Sequence, residues 1–395
     1  MSGLNGPRSE AASIAISSLC VLEATLTQRP NVVGVSCTPL TMLTSFLVQR
    51  RHSLAVLSLS TLFTFWSPLA TADRRQKTFP QIGVRNAHAM TYDNDRERVI
   101  LFGGADESRV CDDTWEWDGK RWTQVSQAGP GPRTFPAMAY DSVRKRAVLF
   151  GGNRVLFGRN LHENRFLNDT WEWDGKRWIE IRVAGPSPRA EAAMAFDSRR
   201  RRVVLFGGHN RAGETGRRLG DTWEWDGKRW TEIKVTGPTP RNGAAQVYDG
   251  GRGKIVLFGG STQTDVSGET WEWDGKQWLE NRAALTQGRF NCVMAYDSVR
   301  RQVTRFGGRY SGKPFGDTWQ YDGTRWIQVT STGPPARNHT AMVYDSKNET
   351  IVLFGGHDFG LQEEVNVYGD TWEWNGAEWS RKDGGRVLRR VDNGH

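Results

Sequence analysis

The sequence predicts an all-β protein, a six-bladed β-propeller with four antiparallel strands in each blade. Three observations favour this fold class. The 395 residues include 18 Trp and 44 Gly, far above ordinary usage, which indicates a periodic need for bulky rings and tight turns. A unit of about 50 residues occurs six times between Arg85 and Trp379. Repeats of this length whose polar and apolar residues alternate as in short strands are typical of propeller blades.

Each predicted strand of a unit has its own signal. The first strand follows R-x-x-x-A-M-x-Y-D, and a basic turn joins it to a second strand that ends in V-L-F-G-G. The third strand carries D-T-W-E-W. Because Trp115 and Trp117 lie two residues apart, both rings face one side of that strand and Glu116 faces the other. An Asp-Gly pair then closes a hairpin onto a fourth strand that begins with Trp122.

The repeat resembles the kelch repeat, whose hallmarks are a double glycine closing the second strand and spaced aromatic residues in the third and fourth. The resemblance covers residues 85–379 and implies a kelch-type propeller. All six double glycines are present, and they begin at Gly103, Gly151, Gly207, Gly259, Gly307 and Gly355.

The spacing of the repeat separates a constant scaffold from a variable loop. From the first Trp of a third strand to the next double glycine the distance is always 36 residues, as from Trp115 to Gly151. From each double glycine to the following Trp it is 12, 20, 16, 12, 12 and 17 residues. Every insertion therefore falls between the second and third strands. Variation confined to one loop is typical of a functional face, and we call the side that carries these six loops the variable face.

The N-terminal part of the chain predicts export. Arg51 precedes an apolar run at 53–66, and an A-x-A site ends at Ala72, which together form the pattern of a secretory signal. The run of about 14 residues is shorter than the roughly 20 that cross a bilayer, so we expect no transmembrane anchor. Starting at Met42 gives this signal an ordinary length.

These boundaries give the expected domain organisation of a secreted or periplasmic protein. Removing residues 1–72 takes away four basic and two acidic residues, which leaves the formal charge at +7 instead of +9. The predicted segments are a non-native upstream extension at 1–41, a signal peptide at 42–72, a linker at 73–84, the propeller at 85–379 and a C-terminal tail at 380–395.

Residues present in every unit are interpreted as architectural, because six equivalent positions rarely all contact one ligand. Each unit opens on an arginine whose expected partner is the acidic residue before Thr-Trp, such as Asp113 or Asp169. One residue breaks the pattern of the core: Arg305 stands where another blade has Leu257. A charge in a buried strand needs a partner.

Basic residues gather in the variable loops of blades 2, 3 and 5. Arginine forks beside aromatic rings suit carboxylate, sulfate or phosphate groups, so we expect this face to bind an anionic glycan or an acidic protein. Charge runs are also often only solvated surface, and that alternative stays open. The candidate residues are Arg154, Arg159, Arg165, Arg211, Arg217, Arg218, Arg309, Tyr310 and Lys313.

Two further candidate sites use the histidines. His88, His339 and His357 lie in blades 1 and 6 and could share a metal ion on one face, although they lack close ligand spacing. Glu191 and His339 are unrepeated first-strand residues of opposite blades, placed near the central channel, where acid-base catalysis needs titratable groups. Whether they converge stays open at this stage.

The resemblance to kelch propellers implies several function classes, since the family includes adaptors, glycan-associated proteins and a few enzymes. Galactose-oxidase-like copper chemistry is not favoured, because nearly all tyrosines are repeat positions and no Cys-Tyr pair is indicated. An enzyme similar to the bacterial sialic acid epimerases, using Glu191 and His339, is the alternative. The sequence shows no nucleophile or cofactor motif, so we expect a binding protein without a cofactor.

The face opposite the variable loops is also basic, through runs such as R-R-R-R at 199–202 and the repeated Lys-Arg of the D-G-K-R-W turns. An anionic cell envelope would attract it. The turns lack the interleaved aromatic residues of nucleic-acid binders, so no nucleic-acid partner is expected.

Overall fold

The computed structural model describes residues 81–106, 108–154, 166–210, 217–359, 364–383 and 385–391. Six four-stranded antiparallel sheets are each built from one sequence unit, with the strands in chain order from the centre outward. This confirms the predicted six-bladed propeller. The segments expected to be an upstream extension, at 1–41, and a signal peptide, at 42–72, lie outside the described residues.

Each strand forms where its sequence signal predicts it. The first strands line the centre and are Ala89–Asp93, Ala137–Asp141, Ala193–Asp197, Ala245–Asp249, Phe290–Asp297 and Ala341–Asp345. The second strands are Arg98–Phe102, Arg146–Asn153, Arg202–Phe206, Lys254–Phe258, Gln302–Tyr310 and Thr350–Phe354. The third strands are Thr114–Trp117, Phe166–Trp173, Thr222–Trp225, Thr270–Trp273, Thr318–Tyr321 and Thr371–Trp374. The fourth strands are Trp122–Ser126, Trp178–Ile181, Trp230–Ile233, Trp278–Glu280, Trp326–Thr330 and Trp379–Arg381.

A few elements lie outside this pattern. The loop of blade 3 forms a small ladder between His209–Asn210 and Arg217–Arg218, and Lys313–Pro314 pairs with the second strand of blade 5. A 3-10 turn covers Arg282–Ala284. No helix in the described part of the chain is long and apolar enough to span a bilayer.

The ends of the propeller are joined by segments that the sequence pattern did not indicate. Val387–Val391, in the predicted tail, pairs with Glu364–Tyr368 from the loop of blade 6. Val84, at the end of the predicted linker, is buried against Val365 and Val367 of that loop. The chain on both sides of the repeats therefore packs on blade 6.

The apolar core lies between neighbouring blades and not inside any one of them. Second strands such as Val99 to Phe102 are fully buried. The cluster that contains Val99 and Trp117 of blade 1 also contains Val352 and Phe354 of blade 6. Blade 6 thus meets blade 1 through ordinary inter-blade packing, and within the described ranges it exchanges no strand with it.

One hydrogen bond recurs at every inter-blade boundary. The first Trp of each fourth strand donates its indole N–H to the hydroxyl of the Thr that begins the third strand of the preceding blade, at 2.8–2.9 Å. The buried indole and hydroxyl satisfy each other. The six pairs are Trp122 with Thr371, Trp178 with Thr114, Trp230 with Thr170, Trp278 with Thr222, Trp326 with Thr270 and Trp379 with Thr318.

The arginine that opens each unit is architectural, as predicted. It pairs with the acidic residue before Thr-Trp and also donates to the carbonyl of the double glycine, as Arg133 does to Gly151 at 3.0 Å. The pairs are Arg85 with Asp113, Arg133 with Asp169, Arg189 with Asp221, Arg241 with Glu269, Arg289 with Asp317 and Arg337 with Asp370.

The double glycine is needed where the chain turns beneath this arginine layer. Gly103 has a φ of 69°, and a Cβ there would lie 2.8 Å from the carbonyl oxygen of Arg133 in the next blade. Both the left-handed backbone and the close approach exclude a side chain. The repeat therefore fixes how closely adjacent blades approach.

Arg305 packs against aromatic rings and does not pair with a carboxylate in the described residues. It is fully buried, and its guanidinium carbon lies 3.9 Å from the ring centre of Phe258 and 4.6 Å from that of Trp326. Its only hydrogen-bond partner in the described residues is Thr286, at 3.2 Å. Burial lowers the pKa of Arg305 to about 9, since desolvation disfavours the charged form.

Candidate functional site

The second residue after each opening arginine forms a ring at one mouth of the central channel. This mouth opens on the variable face, because the residue just before it in the chain bridges to the start of the variable loop, as Asn242 does to Ser261. The φ angles of the ring residues run from 52° to 62°, a region that costs most side chains free energy and that is enriched at functional sites. The ring consists of Ala87, Phe135, Glu191, Gly243, Asn291 and His339.

Main-chain hydrogen bonds run around this ring from blade to blade. Five bonds join the N–H of a ring residue to the carbonyl of the ring residue in the preceding blade. The bonds are Ala87 to His339 at 2.9 Å, Phe135 to Ala87 at 2.7 Å, Glu191 to Phe135 at 3.2 Å, Gly243 to Glu191 at 3.0 Å and Asn291 to Gly243 at 2.8 Å. The ring thus holds the left-handed conformation, whatever side chain the position carries.

Glu191 and His339 converge across the channel, although they come from blades 3 and 6. The His339 Nε2 lies 3.8 Å from the Glu191 Oε1. The side-chain amide of Asn291, from blade 5, lies 2.6 Å from the same His339 nitrogen. Asn242 of blade 4 donates its amide N–H to the Glu191 Oε2. The two acid-base candidates therefore lie in one polar cluster. The sequence alone could not show that they converge.

A second imidazole extends this cluster outward. The His339 Nδ1 lies 2.7 Å from the His357 Nε2, and the backbone N–H of Phe359 donates to the His357 Nδ1 at 3.0 Å. Because that Nδ1 accepts, a neutral His357 carries its hydrogen on Nε2 and donates it to His339. A neutral His339 then carries its hydrogen on Nε2, so the Asn291 amide must turn its oxygen, and not its N–H, toward that atom.

The electrostatics keep both imidazoles neutral. Burial, the neighbouring His357 and the charge of Arg309 hold the pKa of His339 well below its usual value. Burial and Arg309 lower the pKa of His357 to about 4. Burial also lowers the pKa of Arg309, against the opposing effect of Glu191. Both imidazoles are therefore uncharged at neutral pH. A third histidine lies beside the cluster, because the His209 Nδ1 is 3.4 Å from the Glu191 Oε2.

Arg309 and Asn242 have unused hydrogen-bonding capacity. The Arg309 guanidinium lies over the ring of Phe290, 4.7 Å from its centre, and its buried Nε has no partner in the described residues. The Oδ1 of Asn242 is likewise buried and unpaired there, while its Nδ2 contacts Glu191. We define Glu191, Asn242, Asn291, Arg309, His339 and His357 as the channel-mouth cluster.

The structure groups two of the three histidines considered for metal binding. His339 and His357 are in contact, whereas His88 packs edge-on against Phe354, with ring centres 5.6 Å apart. Burial lowers the pKa of His88 to about 3, helped by Arg85. Within the described ranges, no group of three or more His, Cys, Asp or Glu side chains has the arrangement of a metal site.

The basic candidates of the variable loops occupy different environments. Arg159, Arg165 and Arg211 lie outside the described residues. Arg154, Arg217 and Lys313 are exposed, and Tyr310 pairs with Lys313 across a two-residue turn. Arg218 is engaged instead with blade 4, because its Nε donates to the Ser261 carbonyl at 3.0 Å and its guanidinium contacts the Ser261 hydroxyl and Gln263.

The sequence did not single out the two asparagines of the cluster. Asn242 and Asn291 carry no titratable group, so a search for charged and metal-binding residues passes over them. A usable signal exists at one of them, because Asn291 occupies the same unrepeated position as Glu191 and His339. Asparagine also tolerates the left-handed backbone of that position.

Comparisons with known proteins agree with the repeat. A family model described as the KLHDC2/KLHL20/DRC7 Kelch-repeats domain matches residues 51–240 and 202–383. The chain is similar to the Dynein alpha chain, flagellar outer arm, of Chlamydomonas reinhardtii, with 29% identity over 180 residues, which are 40% of this chain and 4% of that protein. It is also similar to Dynein regulatory complex subunit 7 of the same organism, with 33% identity over 115 residues, which are 27% of this chain and 10% of that protein. The chain therefore spans a small part of the length of these curated relatives.

Proposed function

The chain belongs to the Kelch-repeat family, whose propellers serve as interaction scaffolds, and on this premise we propose that its variable face binds an acidic protein partner. An anionic glycan is the other ligand with the required chemistry. The names of the two relatives describe parts of protein assemblies, which supports the protein partner.

One contrast carries this proposal. The arginines that open the blades are matched by carboxylates, as Arg133 is by Asp169 at 2.8 Å, and turn arginines such as Arg144 also pair, with Glu172 at 3.0 Å. The exposed cations of the variable loops have no such match: no carboxylate in the described part of the chain lies within ion-pair distance of Arg154, Arg217 or Lys313. Unpaired cations clustered on one face attract an anionic surface.

We further propose that the protein is exported through the signal at 42–72 and that its mature chain begins at Asp73. The opposite, uniform face would then meet the cell envelope through the exposed Lys-Arg turns. Arg121 of one such turn is 76% exposed and lies 3.9 Å from Asp118, so its charge is largely available. N-terminal sequencing of secreted protein tests the cleavage site, and an uncleaved cytoplasmic product would contradict export.

The binding proposal is tested with two polyanions, heparin as an anionic glycan and poly-L-glutamate as an acidic polypeptide. We expect calorimetric binding of poly-L-glutamate at 0.1 M salt that is lost at 1 M, because the Debye length falls from about 10 Å to about 3 Å. A variant with Arg217→Ala and Lys313→Ala should bind at least about tenfold more weakly, since each charge-assisted bond contributes about 1.5–3 kcal/mol.

The matched control carries Lys120→Ala and Arg121→Ala, which remove the same number of cations from the uniform face. Unchanged affinity in this control is expected. If the control weakens binding and the variable-face variant does not, the partner is held by the uniform face and the assignment is wrong. Stronger binding of heparin than of the polypeptide would indicate the glycan.

A catalytic role is the second candidate, and the 3.8 Å approach of His339 to Glu191 is the observation that favours it. An enzyme similar to the sialic acid epimerases would use such titratable groups near its channel. NMR of N-acylated amino sugars incubated with the protein tests this role. Interconversion of epimers that is abolished by Glu191→Gln is the expected result, and no interconversion in the wild type would end the proposal.

A further inference from the structure

The turns between the first and second strands share one shape on the uniform face. Each has four residues and is closed by the Asp that ends the first strand. Asp197, for example, accepts the N–H groups of Arg199 and Arg200, both at 3.0 Å. The fourth residue of every turn has a positive φ, between 54° and 69°. Because the six turns have the same length and shape, none projects beyond the others, and their tips form a level surface around the channel.

Neighbouring turns contact each other through two of their four residues. The fourth residue of one turn lies against the second residue of the turn in the preceding blade. At two blade boundaries this contact is an ion pair, because Lys145 of blade 2 lies 2.6 Å from Asp95 of blade 1, and Glu97 of blade 1 lies 2.5 Å from Lys347 of blade 6. The turn charges at these two boundaries are therefore neutralised within the protein.

The same contact leaves the arginines of blades 3 and 5 without a countercharge. The space that a side chain on Gly253 of blade 4 would fill holds the Arg199 guanidinium, and a Cβ on Gly251 would lie 3.2 Å from the Arg301 Nε. Each of these arginines therefore faces a glycine. Arg201 is exposed like the other two. No carboxylate in the described part of the chain lies within ion-pair distance of Arg199, Arg201 or Arg301, so their three charges are available to a partner.

Exposed valines lie on both sides of these arginines. The second turn residue is Val143 in blade 2 and Val299 in blade 5, and these side chains are 45% and 56% exposed. Blades 1 and 6 have the charged residues Asp95 and Lys347 at the same position. An apolar side chain beside cations suits the boundary between lipid headgroups and acyl chains. We define the basic sector as Val143, Arg199, Arg201, Val299 and Arg301.

The level surface, the unmatched cations and the exposed valines together fit a lipid surface. We propose that the basic sector docks the protein on a bilayer that contains anionic phospholipids, with phosphate groups at the arginines and the two valines at the headgroup boundary. This inference rests on the proposal that the uniform face meets the cell envelope, and it names the blades and the lipid chemistry of that contact. Each basic residue near an anionic bilayer adds to the affinity. The variable face, on the opposite side, stays free for its own partner.

Vesicle sedimentation with the full chain tests this docking. Vesicles of phosphatidylcholine carry no net charge, and vesicles of equal parts phosphatidylcholine and phosphatidylglycerol are anionic. Stronger binding to the anionic vesicles is expected, and it should be lost at 1 M salt, where the Debye length is about 3 Å. Equal binding to the two kinds of vesicle would overturn the inference. Every protein compared has the same N-terminal segment, so the apolar run at 53–66 contributes equally.

Two charge reversals locate the docking surface. A variant with Arg201→Glu and Arg301→Glu introduces the residue that blades 1 and 6 have at this turn position, so the turns can keep their shape. It should bind anionic vesicles at least about tenfold more weakly than the wild type. The matched control, with Lys120→Glu and Arg121→Glu, makes the same charge change on the same face in blade 1 and should keep most of the affinity. Equal losses in the two variants would show that net charge, and not the basic sector, governs binding.

Substitutions of Val299 test whether the tip of the turn reaches the lipid. Tryptophan favours the bilayer interface, so Val299→Trp should tighten binding to the anionic vesicles. Val299→Asp introduces the residue that blade 1 has at this position and should weaken binding. Unchanged affinity in both variants would show that the tip does not contact lipid and would refute the docking geometry.

Exchanging the variants between the two assays separates the two faces. The variant with Arg217→Ala and Lys313→Ala should bind anionic vesicles as the wild type does, and loss of vesicle binding there would place the lipid on the variable face. The variant with Arg201→Glu and Arg301→Glu should bind poly-L-glutamate as the wild type does, and loss of that binding would make the basic sector a site for acidic protein. Thermal melting of every variant confirms folding. An uncleaved cytoplasmic product would refute export and leave the vesicle result standing.

Discussion

The indole N–H of Trp122 in blade 1 donates to the hydroxyl of Thr371 in blade 6 at 2.9 Å. The same hydroxyl donates to the Asp383 carboxylate at 2.6 Å, so one threonine connects the first blade, the last blade and the tail. The other five boundaries have the bond from tryptophan to threonine. Ring closure thus depends on side chains, on buried surface and on main-chain bonds such as that from Ala87 to His339, and the described residues of the two blades share no strand.

Replacing Thr371 should weaken this closure. Thr371→Val keeps the shape but leaves the buried indole N–H and the Asp383 carboxylate without the hydroxyl, so we expect a loss of about 1–3 kcal/mol in the free energy of unfolding. Thr222→Val, which breaks only the bond to Trp278, should cost less. Denaturant unfolding measures both. Equal stability of Thr371→Val and the wild type would show that the bond contributes nothing to closure.

Restoring the repeat residue at position 305 should stabilise the fold. Arg305→Leu removes a buried guanidinium whose Nε and one terminal nitrogen have no partner in the described residues. Replacing buried charges by apolar side chains is often neutral or stabilising by about 1–4 kcal/mol. The reverse change, Leu257→Arg in blade 4, should destabilise strongly. A lower melting temperature for Arg305→Leu would mean that the stacking on Phe258 and Trp326 outweighs desolvation.

Acid should destabilise the protein through its buried histidines. His88 has a folded-state pKa of about 3, below the value of about 6.5 expected for the unfolded chain. As pH falls below 6.5, His88 binds a proton in the unfolded chain but stays unprotonated in the folded protein. The free energy of unfolding therefore falls by up to about 1.4 kcal/mol per pH unit from this group between pH 6.5 and 3. Denaturant unfolding at pH 7, 5 and 4 measures the slope.

His88→Thr introduces the side chain that blade 6 has at the equivalent position, Thr340. It should reduce the slope of unfolding free energy against pH by about the contribution of one titrating proton. The acidic partners of the opening arginines provide an internal reference. The Arg85 guanidinium helps hold the pKa of Asp113 below its usual value, so its stabilising contribution persists until pH falls below about 4. The loss of stability below about pH 4 should be the same in the wild type and in His88→Thr. An unchanged slope above pH 4 would contradict the prediction.

Two adjacent arginines of the blade 3 loop, Arg217 and Arg218, should differ in their roles. Substitution of one should lower binding affinity, and substitution of the other should lower stability. Arg218→Ala removes contacts with Ser261 and Gln263 and should cost about 0.5–1.5 kcal/mol. Arg217→Ala, at an exposed position, should change stability by less than about 0.5 kcal/mol yet weaken polyanion binding. Thermal melting and calorimetry of the two variants provide the comparison, and equal losses of affinity would contradict the separation.

The fold could be predicted because each of its determinants is local and repeated six times. The double glycine, the spaced tryptophans and the Asp-Gly turn each specify a backbone shape within a few residues. The arginine at the start of each unit could also be assigned its acidic partner, because both recur in step. The strand at Val387–Val391 could not be predicted in this way, since it occurs once and pairs with part of the variable loop of blade 6, whose sequence is not repeated in the other blades.

The site was predictable only in part. Glu191 and His339 could be placed near the channel because they interrupt a repeat, but their approach depends on the ring geometry that brings blades 3 and 6 together. The role of Asn242 depends on a single contact across a blade boundary, as does the pairing of Arg218 with Ser261. The role of His357 depends on its contact with His339 inside blade 6. No repeat encodes such contacts, so they follow from the three-dimensional arrangement alone.

The main-chain ring at the channel mouth makes its six side chains interchangeable. Since neighbouring blades are held there by N–H and carbonyl groups, alanine, phenylalanine, glutamate, glycine, asparagine and histidine all occupy the same backbone shape within one molecule. Ligand preference can therefore diverge one blade at a time without rebuilding the scaffold. A library that varies only Ala87, Phe135 and Gly243 would sample new pockets around an intact Glu191 and His339. Each of the six ring positions could then be changed independently to alter which ligand the propeller binds.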